Sequence, residues 1–141
     1  MTKLEFMETW FRRVWAEEDM DAITELLVPD GKVHGLQKVP SVGPDEFRGF
    51  AELVLKLIRD VDITVERLIE DGDWASILMH IEATSHATGK KIAFSGQAMV
   101  RIVDNRIVEG YNLIDFISMF EQLGQMPADT LPSCLCGKAV A

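Results

Sequence analysis

Asp115 ends a mostly apolar stretch that runs from Ile107 to Ile114. Strand side chains alternate between the faces of a sheet, which predicts Tyr111 and Leu113 on the side of Asp115, with Asn112 pointing the other way. Removing a carboxylate from water is costly, so such a group is hydrogen-bonded, sits near water or titrates abnormally. A carboxyl in that position can shuttle a proton at a carbon next to a carbonyl. A hydroxyl or imidazole aimed at the developing enolate oxygen then stabilises it, and Tyr111 and His86 are the candidates for that donor. All three also have plain structural uses. Asp115 precedes an apolar turn starting at Phe116, where aspartate is a good helix N-cap. His86 suits the surface of a hairpin, and a buried tyrosine needs a partner whatever its role.

The elements that must position these groups follow from apolar periodicity. Phe6, Trp10, Phe11, Val14 and Trp15 recur at helical spacing and predict a helix over about 3–18. Trp10 and Trp15, five apart, fall too far round an α-helix for one narrow stripe, which assigns Trp15 to the core. Ile23, Leu26 and Leu27 mark a second short helix, stopped by Pro29-Asp30-Gly31, and a short strand is expected over about 32–36. After a loop with Pro40 and Gly43, the run Pro44-Asp45-Glu46 opens a third helix, whose stripe includes Phe47, Phe50, Ala51 and Val54. From Val61 the period changes to two. Ala75, Ile77, Met79, Ile81 and Ala83 line one face of a strand that follows the turn Asp71-Gly72-Asp73. Thr88-Gly89-Lys90 and Asp104-Asn105 turn the chain into two further strands. Arg101 and Glu109 lie across the last turn, and a two-residue connection predicts them on opposite faces, each solvated. A closing helical turn ends near Gly124. Helices first and strands afterwards indicate an α+β domain over residues 1–124 with a strongly curved antiparallel sheet, followed by a tail over 125–141 that is ordered only if it docks.

Composition narrows the partners. The 141 residues suit one domain, and 23 acidic against 14 basic residues give a net charge of −9. That balance repels phosphate backbones and anionic membrane surfaces, so neither nucleic acid nor membrane is an expected partner. No apolar run approaches the roughly 20 residues of a membrane span, and the N-terminus lacks an uninterrupted apolar stretch, which predicts a cytoplasmic protein. The two cysteines, Cys134 and Cys136, cannot build a disulfide framework. The three histidines, His34, His80 and His86, show no metal-ligand spacing, so no metal or other cofactor is expected.

Three stretches, Trp10 to Gly35, Ile69 to Gly89 and Val100 to Gly124, resemble the SnoaL-like polyketide cyclase branch of the NTF2-like superfamily. The matching features are a strand ending in His34-Gly35, a Gly72-Asp73 turn, and His86 before Gly89. Arg101, Ile107-x-Glu109-x-Tyr111, Asp115 and a terminal Gln122-Leu123-Gly124 complete them. The resemblance implies a cone in which the curved sheet wraps three N-terminal helices around an internal apolar pocket, usually in a homodimer. It implies Asp115 as the acid/base of an aldol cyclisation or isomerisation on a hydrophobic, carbonyl-bearing small molecule. Trp10, Val14, His34, Phe47, Phe50, Val54, Gln97, Met99 and Leu113 are then expected to line the pocket. Two features depart from the family: the hairpin at Thr88-Gly89-Lys90-Lys91 is abbreviated, and the strand before the acid offers Gln97 but no histidine. A non-catalytic ligand-binding or dimerising module, with Asp115 as a cap, is the alternative. A hydrolase or dehydratase would need two or more inward polar residues around a water.

Overall fold

Thr2 caps the first helix: its hydroxyl accepts from the Glu5 amide while the Glu5 carboxylate accepts from the Thr2 amide, so two orphan donors are satisfied together. The computed structural model describes residues 1–36, 38 and 41–140; Pro40, expected in a loop, lies outside the described residues. Helix α1 (Lys3–Trp10) passes without a break into a π-helical segment (Phe11–Ala16), in which the Glu17 amide reaches five residues back to the Arg12 carbonyl. Helices α2 (Asp21–Leu26) and α3 (Pro44–Leu57) flank strand β1 (Leu27–His34). Then come β2 (Ile58–Asp71), β3 (Trp74–Ser85), β4 (Lys91–Val103), β5 (Arg106–Ile114), α4 (Phe116–Leu123) and α5 (Thr130–Leu135).

The five strands form one sheet in the order β1-β5-β4-β3-β2. Three neighbouring pairs are antiparallel, but β1 runs parallel to β5, so the sheet is predominantly rather than wholly antiparallel. Pro29-Asp30-Gly31 does not precede this strand. Leu27 pairs with Ile107 and Lys32 with Glu109, so the segment bulges out between two paired ends. Asp104 and Asn105 turn the last hairpin with φ of 51° and 56°, the left-handed pair that a two-residue connection requires.

Alternating residues of β3 and β4 carry the core: Ala75, Ile77, Met79, Ile81 and Ala83 on one strand, Ile92, Phe94, Ala98, Val100 and Ile102 on the next. Phe6, Met7, Trp10, Val14 and Phe47 from the helices close over them. The tail docks: Thr130 is buried, and the Leu131 amide donates to the Glu121 carboxylate at the end of α4.

Candidate functional site

Between the concave face of the sheet and the helices lies a cavity of about 100 Å³. Trp10, Phe47, Phe50 and Val54 stand on its wall, together with Trp15, Phe94, Ala98, Ile114 and Phe116. Met7, Met79 and Met119 also line it, and their unbranched side chains let such a wall adapt in shape. Aromatic rings tile the helical side. Phe47 meets Trp10 at 5.5 Å, Trp15 at 6.4 Å and Phe50 at 6.2 Å, centroid to centroid. Both tryptophans reach the wall because the π-helical turn closes i→i+5 bonds and carries Trp15 round to the side of Trp10, which an α-helix would not do. Val14 is fully buried in the adjoining core and is not part of the wall.

The polar candidates lie elsewhere, and one inserted residue explains why. In β5, Ile107 pairs with Ile102 but Glu109 pairs with Arg101, which leaves Val108 as a bulge. Each extra residue reverses the facing of every side chain beyond it. Ile107 faces the cavity, and after the bulge Gly110, Asn112 and Ile114 do so. Tyr111, Leu113 and Asp115 share one side, as alternation requires, but that side is turned outward and exposed, not toward the pocket. Gln97 and Met99, which neighbour Leu113 and Tyr111 on β4, are exposed on the same outer face. His34 is there too, its ring stacked on Tyr111 at 4.4 Å and 7°.

The same bulge brings Arg101 and Glu109 onto one face, where Arg101 Nε donates to Glu109 Oε1 at 2.9 Å. Tyr111 donates its hydroxyl to Glu109 Oε2 at 3.0 Å. These two bonds hold the Glu109 carboxyl below its usual range, the guanidinium contributing most, and the bond to Glu109 raises the Tyr111 hydroxyl. Tyr111 is thus committed to a carboxylate outside the cavity.

Asp115 caps α4: its Oδ1 accepts from the Ser118 amide at 3.0 Å, as a helix N-cap does. His86 is exposed at the start of the β3–β4 hairpin, where its backbone amide donates to the Leu57 carbonyl. The expected trio of Asp115, Tyr111 and His86 is not assembled around one point. The polar residue that faces the cavity is Asn112, set opposite Asp115 by the expected alternation but not counted in the site. The signal for the bulge was Gly110, since a lone glycine inside a strand pattern marks one.

A profile of the SnoaL-like polyketide cyclase family matches residues 5–123, most of the chain. The chain belongs to that family. Solved structures agree on the fold, an NTF2-like cone. A candidate polyketide cyclase from Acidithiobacillus ferrooxidans superposes with a TM-score of 0.71 at 21% identity, covering 86% of this chain and 93% of its own. IdmH of Streptomyces antibioticus, also described as a candidate polyketide cyclase, gives 0.74 at 21%, covering 88% and 99%. A protein of ketosteroid isomerase-like fold from Catenulispora acidiphila, in complex with trimethylamine, gives 0.74 at 19%, covering 91% and 98%. No curated protein matches the chain significantly.

Several of the motifs shared with SnoaL-like proteins have structural work in this chain. Arg101, Glu109 and Tyr111 form the outer-face network. Gln122 spans the stretch of β4 that extends past the end of β5, accepting from the Ala93 amide at 2.9 Å and donating to the Ala93 carbonyl at 2.7 Å, so those backbone groups are satisfied and α4 is pinned. Gly124 then ends the helix at φ 80°.

Proposed function

We propose that this SnoaL-like domain takes up a small, predominantly apolar, carbonyl-bearing molecule in its cone, and that the cavity wall holds this molecule without itself transforming it. One observation carries the reading: among the described residues the wall is aliphatic and aromatic throughout except for Asn112, with no carboxyl, imidazole, hydroxyl or ammonium group on it. Apolar cavities of this order stay dry and accept small apolar ligands. A hydrolase or dehydratase would want at least two inward polar side chains around a water, and Asn112 alone supports that reading poorly.

One observation favours turnover of the cyclase or isomerase type. Asp115 stands in sequence between Ile114 and Phe116, both on the wall, and among the described residues its Oδ2 accepts no hydrogen bond. Its carboxylate is exposed and off the wall, yet it is the acid/base candidate of that reading, and the chemistry would rest on it alone. The two readings part on one experiment. Titration with toluene is expected to raise the melting temperature saturably in the native protein and equally in Asp115→Asn, which retains an acceptor for Ser118. Asp115→Ala should lose the cap and about 1 kcal/mol of stability. A catalytic Asp115 would instead show as turnover of a carbonyl-bearing ring compound that Asp115→Asn abolishes with the fold intact.

The outer face supports a homodimer. Leu78, Met99, Tyr111 and Leu113 are exposed there on neighbouring strands, Leu113 at 77%, and exposed apolar side chains gathered on one face suit a partner surface. Sedimentation of the native chain as a dimer, and of Leu113→Glu as a monomer, is the expected pair of results; a native monomer would refute it. No helix among the described residues is long and apolar enough to cross a membrane. Cys134 and Cys136 are both free and exposed, which suits a reducing, cytoplasmic setting.

A further inference from the structure

Asn112 is the one wall residue, among those described, whose side chain carries an oxygen. Its amide orientation is settled by chemistry. Nδ2 lies 3.3 Å from the backbone carbonyl oxygen of His34, and a carbonyl oxygen can only accept, so the nitrogen must be the atom that faces it. Oδ1 is therefore turned away from that partner. It accepts no hydrogen bond from any described residue, yet no described side-chain oxygen is both buried and unpartnered. Oδ1 thus has open space before it. Asn112 lines the cavity on the inner face of β5 between Gly110 and Ile114, and it also borders an outer-face groove with His34, Gly35 and Leu113; we place Oδ1 on the cavity side. A lone acceptor in an apolar wall is costly to leave unpaired beside an apolar guest, and it rewards a guest that brings a donor.

We propose that Asn112 is the polar anchor of the cavity: Oδ1 accepts a hydrogen bond from a hydroxyl on an otherwise apolar ring, so the preferred ligand is a phenol or an enol. The inference rests on the cavity being a ligand pocket and names the chemical class it selects. A hydrocarbon would fill the space but strand Oδ1. A ligand carbonyl placed against Oδ1 would set two acceptors face to face. The enol is the relevant form for a carbonyl-bearing metabolite, because enolisation converts an acceptor into the donor that Oδ1 lacks.

The test compares three rings of similar size, toluene, phenol and benzaldehyde, on the native protein and on Asn112→Leu. Affinities come from titration, with the side-chain amide resonances of Asn112 followed by 15N NMR. Toluene and phenol are both expected to bind the native protein, and phenol alone to displace the Asn112 Nδ2 resonances strongly. In Asn112→Leu the phenol-to-toluene affinity ratio should fall by about tenfold or more. Should that variant not fold, the native protein still decides: phenol weaker than toluene by more than about tenfold, or an unmoved Asn112 amide, overturns the anchor. An unchanged ratio in the folded variant overturns it as well. Benzaldehyde binding more tightly than phenol would give the contact to Nδ2 and overturn the assignment of Oδ1. Binding of toluene with no gain for phenol leaves the pocket standing and removes only the anchor; binding of no ring removes both.

Discussion

Gly35→Ala is expected to destabilise the protein by about 3 kcal/mol or more, seen as a fall in melting temperature of roughly 10 °C. Two costs add. Gly35 sits at φ 88°, a left-handed conformation that costs a residue with a Cβ roughly 1–2 kcal/mol. A Cβ built there would also lie 2.0 Å from the backbone oxygen of Asn112. That atom cannot give way cheaply, since β1 and β5 pair at His34 and Tyr111, one residue before each. The strands must separate locally, which disturbs the Asn112 amide at the cavity as well. Urea denaturation reads the loss, and a cost below about 1 kcal/mol would show that the close approach is not what the site requires glycine for.

Phe47→Ala should cost about 3–5 kcal/mol, the range for deleting a buried aromatic ring whose surroundings relax only in part. Phe47 is 4% exposed and touches the rings of Trp10, Trp15 and Phe50, so its loss removes the centre of the aromatic wall. The space it vacates joins the cavity. Toluene is therefore expected to stabilise the variant more than the native protein, because a guest that binds only the folded state raises stability by mass action. Equal stabilisation of the two proteins would mean that the vacated volume collapses and is not continuous with the cavity.

Much of this organisation follows from short-range physics. Pro44-Asp45-Glu46 starts a helix because proline suits the first turn and the acids suit the dipole, and α3 begins there. Asp104-Asn105 turns a hairpin because both residues tolerate positive φ. The odd-numbered apolar residues of β3 were legible as one buried face, and they are; on β4 the expected pocket residues Gln97 and Met99 lie on the outer face, opposite the buried even-numbered ones. Trp10, Phe47, Phe50 and Val54 could be placed by helical periodicity, since a stripe on a helix must cover something.

The candidate site was legible only up to Val108. Beyond it Tyr111, Leu113 and Asp115 share one side and Asn112 takes the other, as alternation requires, but the inserted residue sets the first side outward and turns Asn112 and Ile114 to the cavity. Gly110 hinted at the irregularity, but a hint does not say which residue is inserted. That depends on how β5 pairs with β4, a relation between segments. The ion pair of Arg101 with Glu109 was missed for the same reason.

The amino-acid sequence by itself determined the element order, the α+β class, the family and the apolar wall on the helical side, because turns, caps and periodicity act between residues near each other in the chain. Only the tertiary structure decided which side chains of β5 look into the cone, that β1 joins the sheet in parallel, and that a π-helical turn brings both tryptophans to the cavity. Each of those is settled by where hydrogen bonds close between or along elements, and a displacement of one residue in such a ladder carries a side chain from one face to the other.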